Sequence, residues 1–255
     1  MPMPSSPAPA SCAPGRSGSP LRGLLSDVGE LMWPTRCLGC GLPGELLCPD
    51  CRARLPWIDQ CYACPVCGAP FGWLTCTECK GDWEAGTTVC ALPFSGVAAR
   101  MVCALKDSHE LRAAGVIAAA MATALDDASS WRACREGAGW LEPDVVCFVP
   151  ATPEAYLRRG FDHMELVSRE LCRLSGIPLL DALGRRGARD QRELGRDERA
   201  RNLSGTVDVV EDVRGLRVLL ADDVVTTGAT MRECTRALLA RGASEVTCCA
   251  LARVW

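Results

Sequence analysis

The chain has 255 residues, with 28 basic against 31 acidic side chains and a net charge of −3. That balance excludes a protein that grips nucleic acid through a global basic field. Apolar residues make up 48%, an ordinary share for a globular protein. No apolar run approaches the roughly 18 residues that a membrane span needs, so membrane insertion is not expected.

In chain order, residues 1–20 read MPMPSSPAPASCAPGRSGSP. They lack a charged start followed by an apolar stretch, so they are not a secretory signal. Their Pro, Ser, Ala and Gly content predicts a disordered tail, and the missing export signal points to the cytoplasm. Leu21, Leu24, Leu25, Val28, Leu31 and Met32 recur at helical spacing up to Pro34, predicting an amphipathic helix over 21–35.

The next segment is dense in cysteine. Of 18 cysteines in the chain, eight form four Cys-x-x-Cys pairs: Cys37/Cys40, Cys48/Cys51, Cys64/Cys67 and Cys76/Cys79. Seven residues separate the first two pairs and eight the last two. A two-residue gap turns both sulfurs of a pair onto one metal, and a second pair returned by a short loop closes a tetrahedral site. Four-sulfur sites without an open position predict structural zinc, in a ribbon-like segment over 36–85. A redox role would need a thioredoxin-like strand–helix context, which is absent. Cys61 is also spaced for Cys61-x-x-Cys64, which leaves open the exact pairing and whether one or two ions bind. Cys90, Cys103, Cys147 and Cys248 sit in apolar runs and read as small hydrophobes.

Helical patterns follow over 95–106 and 108–128, the second capped by Ser108, and then a linker over 130–143. DVVCFVP (144–150) reads as a short buried strand and 161–175 as a helix. Val207–Val210 is a weak strand, and VLLA (218–221) a strong one without polar alternation, as expected of a strand covered on both faces. A helix over 229–241 ends at Gly242, and VTCCALARV (246–254) is a final strand. Strands alternating with helices predict an α/β fold, a parallel sheet flanked by helices.

The strand 218–221 runs into Asp222 and Asp223 and then a turn, Thr226-Thr227-Gly228-Ala229-Thr230. In an open parallel sheet, ligands bind beyond the carboxyl ends of the strands. A small-residue turn that opens a helix offers free N–H groups, hydroxyls and a positive dipole end, which suit a phosphate. Two acceptor-only carboxylates beside it suit a pair of hydroxyls. Together they describe a site for a ribose 5-phosphate.

Position by position, 218–230 resembles the phosphoribosyl pyrophosphate (PRPP) motif of type I phosphoribosyltransferases. Pro34 and the cysteines, Leu105-Lys106, Val149-Pro150, Arg159-Gly160-Phe161, Gln191, Arg199 and Asn202 precede it in the order of the ComF (competence protein F-like) family of that superfamily. The resemblance covers about residues 21–255 and implies a phosphoribosyltransferase-like domain over 86–255. It implies that Asp222 and Asp223 hold the ribose hydroxyls, that Thr226, Thr227, Gly228, Ala229 and Thr230 cradle the 5-phosphate, and that Val149, Pro150 and Ala151 lie at the pyrophosphate. The chain departs from the family at Asp162-His163, where Asn-Gln is usual. It also has Thr226 where purine-type members carry an aspartate, which argues against a 6-oxopurine acceptor.

Residues 185–202 hold seven arginines and four acids. They read either as a solvated charged loop or as a lid in which Arg185 and Arg186 meet the departing pyrophosphate, with Arg158 and Arg159 as further candidates. The implied activity is displacement of pyrophosphate from PRPP, with Mg²⁺, by an unnamed acceptor. The rival reading is an accessory protein that handles single-stranded DNA, or meets DNA-uptake proteins, in natural transformation. There the PRPP pocket would act as a ligand sensor. Trp57, Tyr62, Phe71, Trp73 and Trp83 are aromatic enough to stack bases, although filling a small core is the better reading of them.

Overall fold

The computed structural model describes residues 34–79, 83–136, 142–185 and 207–255. The tail expected over 1–20 and the helix expected over 21–35, save its last two residues, which are not helical, lie outside them, as do Arg186, Gln191, Arg199 and Asn202 of the charged loop.

A four-stranded parallel sheet forms the centre. Its strands are β1 (Thr87–Pro93), β2 (Val145–Phe148), β5 (Arg217–Val225) and β6 (Glu245–Arg253), in the order β1-β6-β5-β2. β3 (Leu183–Arg185) and β4 (Val207–Val209) form a separate antiparallel pair. The helices are α1 (Pro49–Ala53), α2 (Gly96–Lys106), α3 (Ala113–Glu136), α4 (Pro153–Arg159), α5 (His163–Ser175) and α6 (Ala229–Ala240).

Both faces of the sheet are covered, which explains why its strands are apolar without alternation. On one face Val89, Ala91, Val146, Leu219, Ala221 and Leu251 pack against α2, α3 and α5. On the other, Cys90, Cys147, Val218, Leu220, Cys248 and Ala250 pack against Met231, Cys234 and Leu238 of α6 and against the β3–β4 pair. Cysteine serves here as a small apolar filler. Burial pushes the thiols of Cys90, Cys147, Cys234 and Cys248 up to about 12. Cys103 departs from that expectation and is exposed on α2.

Several expected boundaries move. The strand read as 218–221 runs on to Val225, so Asp222 and Asp223 lie within β5, where Asp222 pairs with Ala250 of β6. β1 and α4 were not visible as periodic patterns, and α3 starts at Ala113, not at Ser108, and absorbs part of the expected linker. Arg185 belongs to β3 and not to a loop.

Leu220 lies fully inside the α6 face. Truncation to alanine leaves a cavity that rigid strands on either side cannot collapse into, at a cost of about 2–5 kcal/mol. Leu220→Ala should lower the urea midpoint accordingly at an unchanged denaturant slope; a loss under about 1 kcal/mol would show that this layer is not close-packed.

Candidate functional site

The carboxyl ends of β2 and β5 lie side by side, with Val149 N–H donating to Ala221 O at 2.9 Å. Past β2 the chain runs through Pro150 and Ala151 to Thr152, which caps α4 by accepting from Ala155 N–H at 3.2 Å. Gly160 closes α4 in the left-handed region (φ 80°), a position where glycine carries no penalty. Asp162 then begins α5, its Oδ1 accepting from Met164 N–H at 2.8 Å. Its Oδ2 accepts from Ala151 N–H at 2.6 Å. Asp162, the departure from the family's Asn, thus ties the Val149–Ala151 loop to α5.

Asp222 and Asp223 are neighbours in sequence but part onto opposite faces of β5. Asp223 is 6% exposed and faces α2 and α5. Its Oδ2 pairs with Lys106 Nζ at the end of α2 and lies 3.4 Å from His163 Nε2. Arg159 Nη1 stands 3.2 Å from His163 Nδ1. Since a guanidinium only donates, Nδ1 accepts, and in the neutral ring Nε2 carries the hydrogen, close to Asp223 Oδ2 but not aligned to bond it. Burial pushes the Asp223 carboxyl up, but the neighbouring His163 and the charge of Lys106 outweigh it and hold the acid below its ordinary range. Asp222 takes the other sign. It keeps some exposed surface but has protein on most sides, and burial, then the charge of Asp223, push its carboxyl well above the ordinary value. Its Oδ1 accepts from Asp223 N–H at 2.9 Å.

After Val225 the chain turns through Thr226 and Thr227, both exposed, to Gly228 at φ 73°. Gly228 is the N-cap of α6, and Ala229 and Thr230 form its first turn. Of the arginines singled out, Arg158 is exposed, Arg159 is half-buried on His163, and Arg185 donates from Nε to Pro150 O at 2.8 Å. The structure therefore brings Arg159, Arg185, the Val149–Ala151 loop, both aspartates and the turn to one edge of the sheet. Lys106 and His163 were named from sequence only as a family landmark and a family departure, with no role at the site. Only the fold sets them on Asp223.

Residues 156–254 match the family model described as the phosphoribosyl transferase domain. Over 86% of the chain and 97% of the relative, it is 29% identical to the DNA utilization protein YhgH of Salmonella typhi and to that of Escherichia coli K12. It is 32% identical to Competence protein F of Haemophilus influenzae over 44% of this chain and 51% of that one. The chain is thus similar to ComF-like proteins along most of its length, and to the phosphoribosyl transferase domain over 156–254. Among solved structures, it is similar to a glutamine PRPP amidotransferase from B. subtilis at 22% identity and a TM-score of 0.32, over 42% of this chain and 22% of that one. A purine phosphoribosyltransferase from Pyrococcus horikoshii matches at 19% and 0.30, over 53% of this chain and 69% of that one.

The structure also holds two four-sulfur clusters that could bind a metal ion: Cys37, Cys40, Cys48 and Cys51, and Cys64, Cys67, Cys76 and Cys79. In each, all sulfurs lie within 4.8 Å of one another. Cys61 stands outside both, which resolves the pairing left open by spacing. Gly39 and Gly72 let the loops wrap this closely, since a Cβ there would sit 2.5 Å from Cys51 Sγ and 2.6 Å from Cys64 Cβ. The aromatics do not all fill a core: Phe71 is 83% exposed, and Trp57 and Tyr62 are also exposed. Among the described residues, no helix is long and apolar enough to cross a membrane.

The two aspartates should respond oppositely to neutralisation. Asp223→Asn strands the Lys106 charge and should cost about 3 kcal/mol at pH 7, the low end for breaking a buried pair because Lys106 keeps some contact with water. A carboxyl lowered on folding stabilises above its unfolded value of about 4, and that stability is lost as pH falls through its folded value, so the cost of Asp223→Asn should shrink only below about pH 4. A raised carboxyl destabilises once pH exceeds about 4, so Asp222→Asn should be neutral or stabilising at pH 7. Urea midpoints from pH 7 down to pH 3 check both; wild-type stability of Asp223→Asn at pH 7 would refute the ion-pair account.

Proposed function

We propose that the carboxyl edge of the sheet binds PRPP or a ribose 5-phosphate nucleotide, and that the chain transfers the phosphoribosyl group to an acceptor nitrogen. The observation that carries the reading is the turn Thr226–Thr230. It leaves an acid-bearing strand, passes a left-handed glycine and opens α6 with its positive dipole end. In this reading the turn and its hydroxyls hold the 5-phosphate, and Asp222 and Asp223 accept from the sugar hydroxyls. Asp222 approaches directly, and Asp223 exchanges part of its hold on Lys106.

The acceptor's lone pair attacks ribose C1, the bond from C1 to the pyrophosphate oxygen breaks, and its electrons leave with the pyrophosphate. Arg159 and Arg185, together with Arg158 and Arg186, are the cations available to balance that charge, and the Val149-Pro150-Ala151 loop is the backbone nearest to it. Positioning and electrostatics suffice, with no covalent nucleophile. Mg²⁺ bound with PRPP would neutralise diphosphate charge, and Asp222, a partly exposed hard oxygen donor, is the residue suited to its hydration shell.

The cysteine clusters are read as structural zinc sites in a segment over 36–85 that precedes a transferase-like domain over 86–255. Four thiolates about 2.3 Å from a tetrahedral ion stand about 3.8 Å apart. Cys64 and Cys79 sulfurs are 3.8 Å apart, Cys67 and Cys76 3.6 Å, and Cys40 and Cys48 3.8 Å. A second reading, contact with single-stranded DNA, is favoured by the exposed rings of Tyr62 and Phe71 and by the names of the relatives.

Calorimetric titration of the full chain with PRPP and Mg²⁺ should show binding at millimolar ligand or tighter, and no binding there would overturn the function. Gly228→Ala should weaken inorganic phosphate and ribose 5-phosphate together by about tenfold or more. A Cβ at Gly228 is strained by its φ and would lie 2.0 Å from Trp83 Cζ2. Metal analysis of the purified chain should find two zinc ions, one for each cluster; less than one per chain would refute the zinc assignment.

A further inference from the structure

The second cysteine cluster does not hang from the fold on a tether. Its loop is bonded to β1 and, through Arg253, to the carboxyl ends of β5 and β6. Thr88 of β1 donates from its N–H to Pro65 O at 2.9 Å and from its hydroxyl to Val66 O at 2.7 Å. Gly68 lies against Cys90 so closely that a Cβ would stand 2.6 Å from the thiol. The principal connection is Arg253, at the end of β6. It is 4% exposed, and among the described residues no carboxylate pairs with it. Its Nε donates to Cys67 O at 3.1 Å, and its Nη1 donates to Val225 O at 3.2 Å, to Thr226 O and to Val254 O. One buried guanidinium therefore joins the carbonyl of a cluster cysteine to the two residues that start the phosphate turn.

A second connection runs along the chain. Trp83 follows Cys79 by four residues. Its ring packs on the second cluster and on the α6 layer, and lies directly against Gly228. Arg232 of the first turns of α6 stands over the same ring at 5.8 Å, and Glu84 pairs with Arg236 one turn further on at 2.9 Å. The first cluster is seated elsewhere. Arg100 of α2 donates to Leu38 O and Gly39 O at 2.8 and 2.7 Å, on the helical layer away from the turn.

We propose that the second cluster, Cys64, Cys67, Cys76 and Cys79, positions the phosphate turn through Arg253 and Trp83, so that metal in this cluster and phosphate at residues 226–230 strengthen each other. Arg253 is thereby a positioning residue for the site, reached from a segment outside the strand and helix that form the turn. A buried guanidinium with its donors spent on carbonyls is rigid only while those carbonyls hold still. Metal fixes the Cys67 carbonyl, and the turn inherits that fixity. Such coupling is reciprocal, and typical values are about 5- to 150-fold in affinity. The first cluster, seated on α2, is not part of it.

The phosphate half of the proposal rests on the reading of 226–230 as an anion turn, and the metal-to-turn half does not. The test uses the full metal-loaded chain and two readouts: hydrogen exchange at amides 226–230 and calorimetric titration with inorganic phosphate. Cys67→Ser with Cys76→Ser should speed exchange at the turn about tenfold and weaken phosphate at least about fivefold, whereas Cys40→Ser with Cys48→Ser should change neither. Should the second-cluster variant lose its fold, Arg253→Lys decides. It leaves every cysteine in place and should retain the wild-type metal content, yet it cannot span the four carbonyls, so turn exchange should still quicken. Wild-type exchange at the turn in Arg253→Lys, or an equal response to emptying the first cluster, would overturn the proposal. Quickened exchange in a chain that binds no phosphate would uphold the coupling and refute the phosphate reading alone.

Discussion

A parallel sheet covered on both faces leaves its strands only one place to be polar: their ends. β5 obeys this constraint along its whole length, with Val218 to Ala221 buried in alternating layers. Only at its carboxyl end do two carboxylates appear, and there the helices of both layers stop short. Everything at the site follows from that exit. β2 ends beside β5 and delivers the Val149–Ala151 loop, β6 ends beside it and delivers Arg253, and α6 begins where β5 turns away.

The charges at this edge are balanced locally. Asp223 looks toward α2 and α5 and meets Lys106 and His163, while Asp222 looks toward α6 and meets no such partner close by. Adjacent acids in one strand therefore carry opposite tendencies, one held ionised and one pushed toward its neutral form. A ligand that brings both hydroxyls and phosphate meets one settled carboxylate and one that is easily changed. Strand alternation alone creates that asymmetry, since a single residue step sends a side chain to the other face.

Much of this was legible in the residues. Cys-x-x-Cys spacing named all eight sulfurs, because ligand geometry is local and a short loop suffices to close it. The end of β5, the turn and α6 were legible because an apolar run, two acids and a glycine each have a local signature. What sequence concealed was what the tertiary fold decides. β1 has no alternation to announce it, since both its faces are covered. The long α3 is apolar nearly all round, and its start at Ala113 obeys packing more than capping. Lys106, His163 and Arg253 lie more than fifty residues from one another in the chain, and only the parallel register gathers them. The aromatics of the cysteine segment misled in the other direction: Phe71 and Tyr62 face outward and fill no core.

The N-cap of α6 is a glycine, a residue with no side chain to offer the first amides of its helix. Most helices are finished by a Ser, Thr or Asp from their own chain, as α4 and α5 are here by Thr152 and Asp162. α6 has only the hydroxyl of Thr227, which accepts from Ala229 N–H at 3.4 Å, and its N-cap residue adds no side chain to that. A phosphate seated on Thr226–Thr230 would complete the capping as much as it would be cargo, and part of the free energy of folding α6 would then arrive with the ligand.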